Sequence, residues 1–468
     1  MAYVVELTYM HYIYLAVIVV VIALMILKHD VVVPCIVGLF VLGFCYSGFS
    51  VIGGAQAVFN GMMVAGADLF DIMLIIALMV AMLKAMEAIG ADKMMIAPAA
   101  RVIKSPTVAF VVIAVVMYIC ASFFWPTPAT ALVGTILIPI AMKAGLKPMM
   151  ACMAMNLAGH GLALSGDLVL QGAPALSAGA SNADLPSIVA NGGILATLTG
   201  VVAFAVAAVI YRKEITTRYI PDGTDNVQQA VEVANPPKCA KVFAVIVPVV
   251  FFVIVLRIIA GAAIPTMSKI FGGDATALLG GAASILLILI CLVTDSKTFL
   301  EKIGEYLRTG MLFSIKIFAV VIPIAAFFYL GNPESCPSIL GEGAPGFLFD
   351  LGNAMQNVLP LNPFTLAIGI AVIGGITGLD GSGFSGVPLV AGLAAALGGP
   401  LGYDVTMLAA LGQVAAIWVG GGCLSAWAFG AVASAGVAGV SSAELVRKNF
   451  VPVIAGLIAA SLFTAIML

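Results

Sequence analysis

Ile376-Thr-Gly-Leu-Asp-Gly-Ser-Gly-Phe-Ser-Gly386 lies near the middle of the stretch Met355–Leu401. Two apolar arms flank it, about Asn362–Thr377 and Val387–Leu397. Each arm has only about half to two-thirds of the ~20 residues that an upright helix needs to cross a ~30 Å hydrocarbon core. Unwound backbone at that depth is tolerated only where protein buries it or water reaches it. The sequence therefore predicts a re-entrant hairpin over residues 362–398, entering from outside, with a tip that forms part of a binding site.

The composition defines the class of protein. The chain has 468 residues, of which 63% are hydrophobic and 9% charged, and its mean hydropathy is +1.19. A soluble protein of this length could not bury so much apolar surface, so an all-α polytopic membrane protein is expected. A net charge of −2 without a basic stripe excludes a nucleic-acid partner. The eight cysteines form no C-x-x-C pair, which argues against a disulfide framework or a metal site.

A second pair of short apolar arms makes up residues 107–143, joined by Trp125-Pro-Thr-Pro-Ala-Thr130. Lys104 precedes this pair, and Lys143 and Lys147 follow it. Because basic residues mark the cytoplasmic side, both ends of the segment are expected there. A segment that enters and leaves on one side is a hairpin, so residues 107–143 are predicted to be an inner re-entrant hairpin.

The remaining chain divides around one polar linker. We predict an N-terminal transmembrane helix in residues 1–30, a first repeat in 31–212, a cytoplasmic linker in 213–241 and a second repeat in 242–468. The hydropathy pattern gives about eleven spans besides the two hairpins. Two of those spans are interrupted, at Gly159–Asp167 and at Gly420–Ser425. Other predicted spans include Val31–Ile52 and Leu69–Ile89, and Gly331–Pro360 is expected to be an external loop because it contains no Lys or Arg.

The two halves match weakly in sequence and in the same order. Residues 143–156 align with residues 398–413, which places Asn156 against Gln413, and Ser181–Leu185 aligns with Ser441–Leu445. The charge pattern gives matched segments opposite orientations. Matched order with opposite orientation is typical of inverted-topology repeats, whose binding site lies at the repeat interface.

The predicted order is scaffold helices, a hairpin and a broken helix, followed by the same elements in inverted orientation. This architecture resembles that of the ion transporter superfamily. That group includes divalent-anion/sodium symporters, citrate carriers and the large membrane subunit of tripartite periplasmic-binding-protein-dependent transporters. Ala131–Pro148 is similar in kind to the return arm of the inner hairpin in the tripartite permeases. The hairpin tips lack the Ser-Asn-Thr triplets of the divalent-anion carriers. The resemblance implies an elevator carrier, with a transport domain moving against a scaffold that is often a homodimer.

The candidate site residues lie at the two tips and the two interruptions. Helix N-termini inside the membrane bind anions without Arg or Lys, while helix C-termini with Ser, Thr or Asp oxygens suit Na⁺. Asp167 and Asp380 are either coupling groups or caps of the helices that follow them. His160 is interpreted as a packing residue. The predicted substrate-binding residues are Thr127, Thr130, Asn156, Ser382, Ser385 and Gln413, and the predicted coupling-ion residues are Ser165, Asp167, Asp380 and Ser425.

These observations predict a secondary active transporter, driven by Na⁺ or H⁺, that moves a small organic anion such as a carboxylate across the inner (plasma) membrane. A Na⁺/H⁺ antiporter, or a carrier of a neutral or zwitterionic solute such as an amino acid, is the alternative. No nucleotide loop, metal cluster or nucleophile–base pair indicates an enzyme or a cofactor, and midplane hairpins argue against a channel. Substrate identity, coupling ion and the need for a separate binding protein stay open.

Overall fold

The computed structural model describes residues 7–27, 29–220, 227, 236–263, 266–268, 270, 273–355, 362–381 and 383–468. These residues form helices and no strands. The first half contains α1 (Tyr9–Ile26), α2 (Val32–Tyr46), α3 (Val51–Ile89), α4 (Ala91–Val102), α5 (Pro106–Phe124), α6 (Pro126–Lys143), α7 (Pro148–Asn156), α8 (Leu164–Gly166), α9 (Gly172–Ser181), α10 (Leu185–Ile210) and α11 (Arg212–Thr216). The second half contains α12 (Lys238–Ala263), α13 (Gly273–Thr294), α14 (Phe299–Phe318), α15 (Val321–Tyr329), α16 (Cys336–Leu340), α17 (Phe347–Met355), α18 (Pro363–Thr377), α19 (Val387–Gly398), α20 (Val405–Trp418), α21 (Phe429–Ala438) and α22 (Ser442–Met467).

Helix length and composition make the chain a membrane protein. Within the described ranges, seven helices are long and apolar enough to cross a bilayer, or eight if the bent pair α14 and α15 counts as one span. Lipid offers no hydrogen bonds, so a spanning segment must satisfy its backbone internally, as these helices do. The predicted class, an all-helical polytopic membrane protein, is confirmed.

Two predicted segments have different bounds in the structure. The predicted span Val31–Ile52 ends early, at Tyr46, and α3 then runs for 39 residues without a break. Ser50 caps α3 by accepting a hydrogen bond from the Gly53 amide. Residues 51–89 contain several glycines but no proline, and glycine alone does not stop a helix that neighbours support. The predicted external loop Gly331–Pro360 is also partly helical, since it contains α16 and α17.

Each predicted hairpin is a pair of packed helices. α5 and α6 contact each other and are separated only by Trp125, whose φ of 68° reverses the chain. α18 and α19 are separated by a 3₁₀ turn, Gly378–Asp380, and by residues 381–386. The outer ends of both pairs carry polar caps, Ser105 on α5 and Asn362 on α18, each followed by a proline at the first helical position.

Helix starts recur at a constant spacing in the two halves. The start of α5 at residue 106 and that of α18 at residue 363 differ by 257 positions. The same difference of 257 separates the starts of α7 and α20 (148 and 405), of α9 and α21 (172 and 429) and of α10 and α22 (185 and 442). By this spacing Asp184, not Ser181, is the counterpart of Ser441, and both residues are N-caps. The predicted alignment of Ser181–Leu185 with Ser441–Leu445 is therefore displaced by three positions, because it matched residue types and not the positions of the helix N-caps.

Close helix contacts depend on small residues. α10 and α22 pack along each other, and a β-carbon at Gly456 would overlap the carbonyl oxygen of Thr199. α3 and α14 also pack tightly, with the Ser314 hydroxyl donating to the Met73 carbonyl at 2.7 Å. Small residues and hydroxyl hydrogen bonds are the usual means by which membrane helices approach closely.

Candidate functional site

Two broken helices cross in the interior through π-helical segments. The first π-segment, Leu157–Ala163, continues α7, and the second π-segment, Val419–Cys423, continues α20. A β-carbon at Gly421 would lie 2.8 Å from the His160 carbonyl oxygen, and one at Gly161 would meet the Trp418 ring at 2.5 Å. The segments therefore touch where each has glycine, and we call this contact the crossing. π-segments within α-helices often mark functional sites.

The tip of the outer hairpin, residues 378–386, lies directly on the second π-segment. A β-carbon at Gly420 would overlap the Gly383 nitrogen and the Gly378 carbonyl oxygen. The Trp427 indole N–H donates to the Leu379 carbonyl at 2.9 Å. Only glycine permits backbone to approach backbone so closely, which explains why both partners are glycine-rich.

The tip of the inner hairpin, residues 125–130, reaches the same region. The Trp125 ring is buried and lies 5.4 Å, centroid to centroid, from the ring of Phe384 in the outer tip. A β-carbon at Gly172, the first residue of α9, would lie 4.0 Å from the Trp125 ring. The two tips and the start of α9 are thus neighbours.

Each broken helix unwinds just after its π-segment. The first break is residues 167–171, before α9, and the second break is residues 424–428, before α21. The sequence predicted the first interruption at Gly159–Asp167, but that stretch stays helical to Gly166 because a π-turn absorbs its glycines. The chain opens instead at Asp167, where φ is 37°.

Asp167 caps α9. Its Oδ1 accepts from the Gln171 amide at 3.1 Å and its Oδ2 accepts from the Ala173 amide at 3.0 Å. A carboxylate at a helix N-terminus satisfies otherwise unpaired N–H groups and complements the helix dipole. Of the two roles foreseen for Asp167, the structure displays the capping one, and its part in ion coupling stays a prediction.

Asn156 and Gln413, placed in register by sequence, make reciprocal contacts across the crossing. The Gln413 side chain accepts from the Ser177 hydroxyl at 2.8 Å and donates to the Ser165 carbonyl at 2.8 Å. The Asn156 amide contacts the Ser434 hydroxyl at 3.5 Å and accepts from Asn449 at 2.9 Å. Ser177 and Ser434 are themselves 257 positions apart. Both amides, which were predicted to bind substrate, are buried and bind protein groups.

The other predicted residues have different surroundings. Thr127 is half-buried at the inner tip, and buried Thr130 donates to the Pro126 carbonyl at 2.8 Å. Ser385 is buried in the outer tip. Ser382 and the side chain of Asp380 lie outside the described part of the chain.

Several buried polar groups near the crossing have no hydrogen-bond partner among the described residues. These groups are Trp125 Nε1, His160 Nδ1 and Nε2, Ser165 Oγ, Trp418 Nε1 and Ser425 Oγ. Buried polar side chains in folded proteins nearly always have partners, so such a cluster indicates a place that binds water, an ion or a ligand. Ser165 and Ser425 were predicted as site residues. His160 was interpreted as a packing residue, although the glycines on either side of it were a signal of close packing at a break.

Two cavities in the described part of the chain are apolar, and one of them borders the second break. One of about 440 Å³ is lined by α4, α5 and α12, and one of about 510 Å³ by α18 and α22, reaching Leu379 and Leu424. Both linings are almost wholly apolar, which suits lipid chains and not a polar solute.

The fold and site define a polytopic helical membrane protein with two broken helices and two packed helical pairs that meet in its interior. A protein of Bacillus subtilis (strain 168), described as "uncharacterized membrane protein YhfA", is 36% identical over 465 residues, which cover 98% of each chain. This chain belongs to the same family of membrane proteins as that protein. No known protein-family profile matches it.

Proposed function

We propose that this chain is a secondary active transporter of the inner (plasma) membrane that moves a small organic anion, such as a carboxylate, with Na⁺ or H⁺. It has no enzymatic activity and no cofactor beyond the coupling ion, and it works as a homodimer by an elevator mechanism. The observation that carries the proposal is the convergence of unpartnered buried polar groups on two unwound helices at the crossing. Binding sites at the midplane of transporters are built from such discontinuous helices.

The recurrence of helix starts at a spacing of 257 supports a pair of inverted-topology repeats. Reciprocal contacts support it too, since Ser177 with Gln413 and Ser434 with Asn156 are the same pair exchanged between halves. Thr199 and Gly456, also 257 apart, touch each other, as expected for counterparts beside a two-fold axis. In this proposal the hairpins and broken helices move as a transport domain against a scaffold that includes α3 and α14.

The chemistry of the helix ends favours an anion. α6, α19 and α21 begin at the tips and the second break, and within the described residues none has a side-chain cap. Residues 125–130, 157–173, 378–386 and 417–431 include no Lys or Arg. Unpaired N–H groups and the helix dipole are therefore the positive features available for holding a solute.

The alternative Na⁺/H⁺ antiporter would need a carboxylate that exchanges Na⁺ for a proton. Asp167 already accepts two backbone hydrogen bonds, which a cation would have to displace. This contact favours a solute carrier over an antiporter.

Uptake by purified protein in liposomes tests the proposal. Labelled acetate, lactate, succinate and citrate are offered with an inward Na⁺ gradient, with a pH gradient, or with neither. Accumulation of one of them only under a gradient is the expected result. Na⁺/H⁺ exchange without uptake of any organic anion would instead establish the antiporter, and an ungated conductance would establish a channel.

A further inference from the structure

The two breaks differ in how their following helices begin. At the first break, α9 is capped by the carboxylate of Asp167. At the second break, the position 257 residues later is Leu424, and α21 starts at Ala428 without a side-chain cap within the described residues. Both helices have 10 residues and occupy corresponding places in the fold. One helix N-terminus therefore holds a carboxylate of the protein itself, whereas no described side chain caps its counterpart.

His160 packs against the first turn of α21. Its ring lies 5.7 Å, centroid to centroid, from Phe429, and a β-carbon at Gly430 would be 2.6 Å from its Cγ. The side chain is fully buried, and neither ring nitrogen has a hydrogen-bond partner among the described residues. An imidazole has at least one N–H donor in either of its protonation states. The carbon edge of the imidazole therefore packs on the start of α21, and its ring nitrogens have no acceptor in the described part of the protein.

Ser425 supplies a second donor in the same break. Its carbonyl oxygen accepts from the Ala428 amide at 3.1 Å, so Ser425 begins the turn that leads into α21. Its hydroxyl is fully buried and, within the described part of the chain, makes no hydrogen bond. Leaving a buried hydroxyl unpaired is unfavourable, and an acceptor bound at this turn would remove that penalty.

We propose that the first turn of α21, together with His160 and Ser425, is the subsite that binds a carboxylate group of the transported solute. The inference rests on the proposed function and specifies where the anion is held. The turn offers backbone N–H groups, a hydroxyl and an imidazole N–H, all of them donors to one anionic group. Asp167 at the corresponding turn of α9 displays the same type of ligand, a carboxylate, bound by backbone N–H groups.

Thermal unfolding of the purified full-length protein, titrated with the sodium salts of acetate, lactate, succinate and citrate, tests the subsite. Sodium chloride at equal concentration controls for ionic strength. A carboxylate that binds the folded state raises the unfolding temperature in a concentration-dependent way. For that carboxylate, Ser425→Ala is expected to raise the apparent Kd about 10-fold or more, because one hydrogen bond to a charged group is lost.

Without ligand, Ser425→Ala should unfold at the same or a higher temperature than the wild type, since it removes an unpaired buried hydroxyl. A merely structural serine would instead lower that temperature. Gly436→Ala, which lies farther along α21 where a β-carbon meets no other described helix, should bind the carboxylate within about 3-fold of the wild type.

The outcomes separate the two proposals. If the wild type binds a carboxylate and Ser425→Ala binds it equally well, the subsite is wrong while the anion carrier stands. If none of the four carboxylates stabilises the wild type, the proposed function fails and the subsite fails with it.

Discussion

The first and second breaks occupy corresponding places in the two halves but differ in backbone and in chemistry: Asp167 has a φ of 37°, whereas Leu424 has a φ of −121°. Each follows a π-segment, each spans five residues, and each leads into a helix of 10 residues. The first contains Asp167, whose carboxylate closes the start of α9, while the second contains Leu424 and leaves α21 without a side-chain cap among the described residues. Corresponding architecture therefore does not imply the same function. The N-terminus of α9 is capped by a side chain of the protein itself, whereas that of α21 has no side-chain cap among the described residues and is suited to a ligand.

The second π-segment also depends on glycine at a position where the first half of the chain does not. Gly422 has a φ of 114°, and a β-carbon there would overlap the Ala431 nitrogen, whereas its counterpart in the first half is Ser165. Gly422→Ala should therefore destabilise the protein by about 3 kcal/mol or more, through backbone strain and overlap with main-chain atoms. Thermal unfolding in detergent measures the effect.

Gly436→Ala is the matched control for that substitution. Gly436 lies within α21, and no atom of another described helix lies within 4 Å of the position that a β-carbon would take there. Alanine should therefore be neutral or stabilise the protein by up to about 1 kcal/mol. Equal unfolding temperatures for the two variants would show that the second π-segment tolerates a side chain at this position, as the first half of the chain does.

Removing the cap of α9 should have the next largest effect. Asp167→Ala eliminates two hydrogen bonds from backbone amides and should cost about 1–3 kcal/mol. Asp167→Asn retains one carbonyl oxygen as an acceptor and should cost less. If Asp167→Ala unfolds at the same temperature as the wild type, the cap does not stabilise α9. The difference between the two breaks would then have no effect on stability.

Ser177 and Ser434 occupy corresponding positions in the two halves, and substituting them should cost less stability than removing Asp167. Ser177 donates to Gln413 at 2.8 Å, but Ser434 and Asn156 are 3.5 Å apart, at the limit of a hydrogen bond. Ser177→Ala should therefore cost about 1 kcal/mol and Ser434→Ala less than about 0.5 kcal/mol. Unfolding temperatures of the two variants measured side by side check the order, and a larger loss for Ser434→Ala would reverse it.

A further contrast concerns the segments that precede the hairpins. Asp350, before the outer hairpin, lies 3.2 Å from His11, whereas Oδ1 of Asp92, before the inner hairpin, has no partner among the described residues. Burial raises the pKa of Asp92 from 3.8 to about 6. Because the folded state holds this proton more tightly, its contribution to stability is present below pH 3.8 and is lost as the pH rises to about 6.

Asp92→Asn should remove this part of the pH dependence. Unfolding temperatures recorded for both proteins across that range should converge at low pH, with the wild type falling below the variant as the pH rises. Parallel curves would mean that Asp92 is ionised throughout, with a partner that compensates for its burial.

Much of the architecture could be read from local sequence. Apolar runs and the low charged fraction indicated a helical membrane protein, because lipid allows few ways to satisfy the backbone. The proline after Ser105 and after Asn362 marked where the hairpin arms begin, since proline is favoured at the first position of a helix. The prediction from local sequence was wrong at Gly159–Asp167, because a π-helical turn keeps the backbone helical through Gly159 and Gly161.

The sequence by itself determined the membrane class and the register of Asn156 with Gln413, since these depend on hydropathy and local order. Only the tertiary structure decided that these amides bind serines of the opposite half, and that His160 faces α21. Contacts between residues more than 230 positions apart follow from how two helices cross. Which buried group finds a partner there is a property of that packing and not of either segment alone.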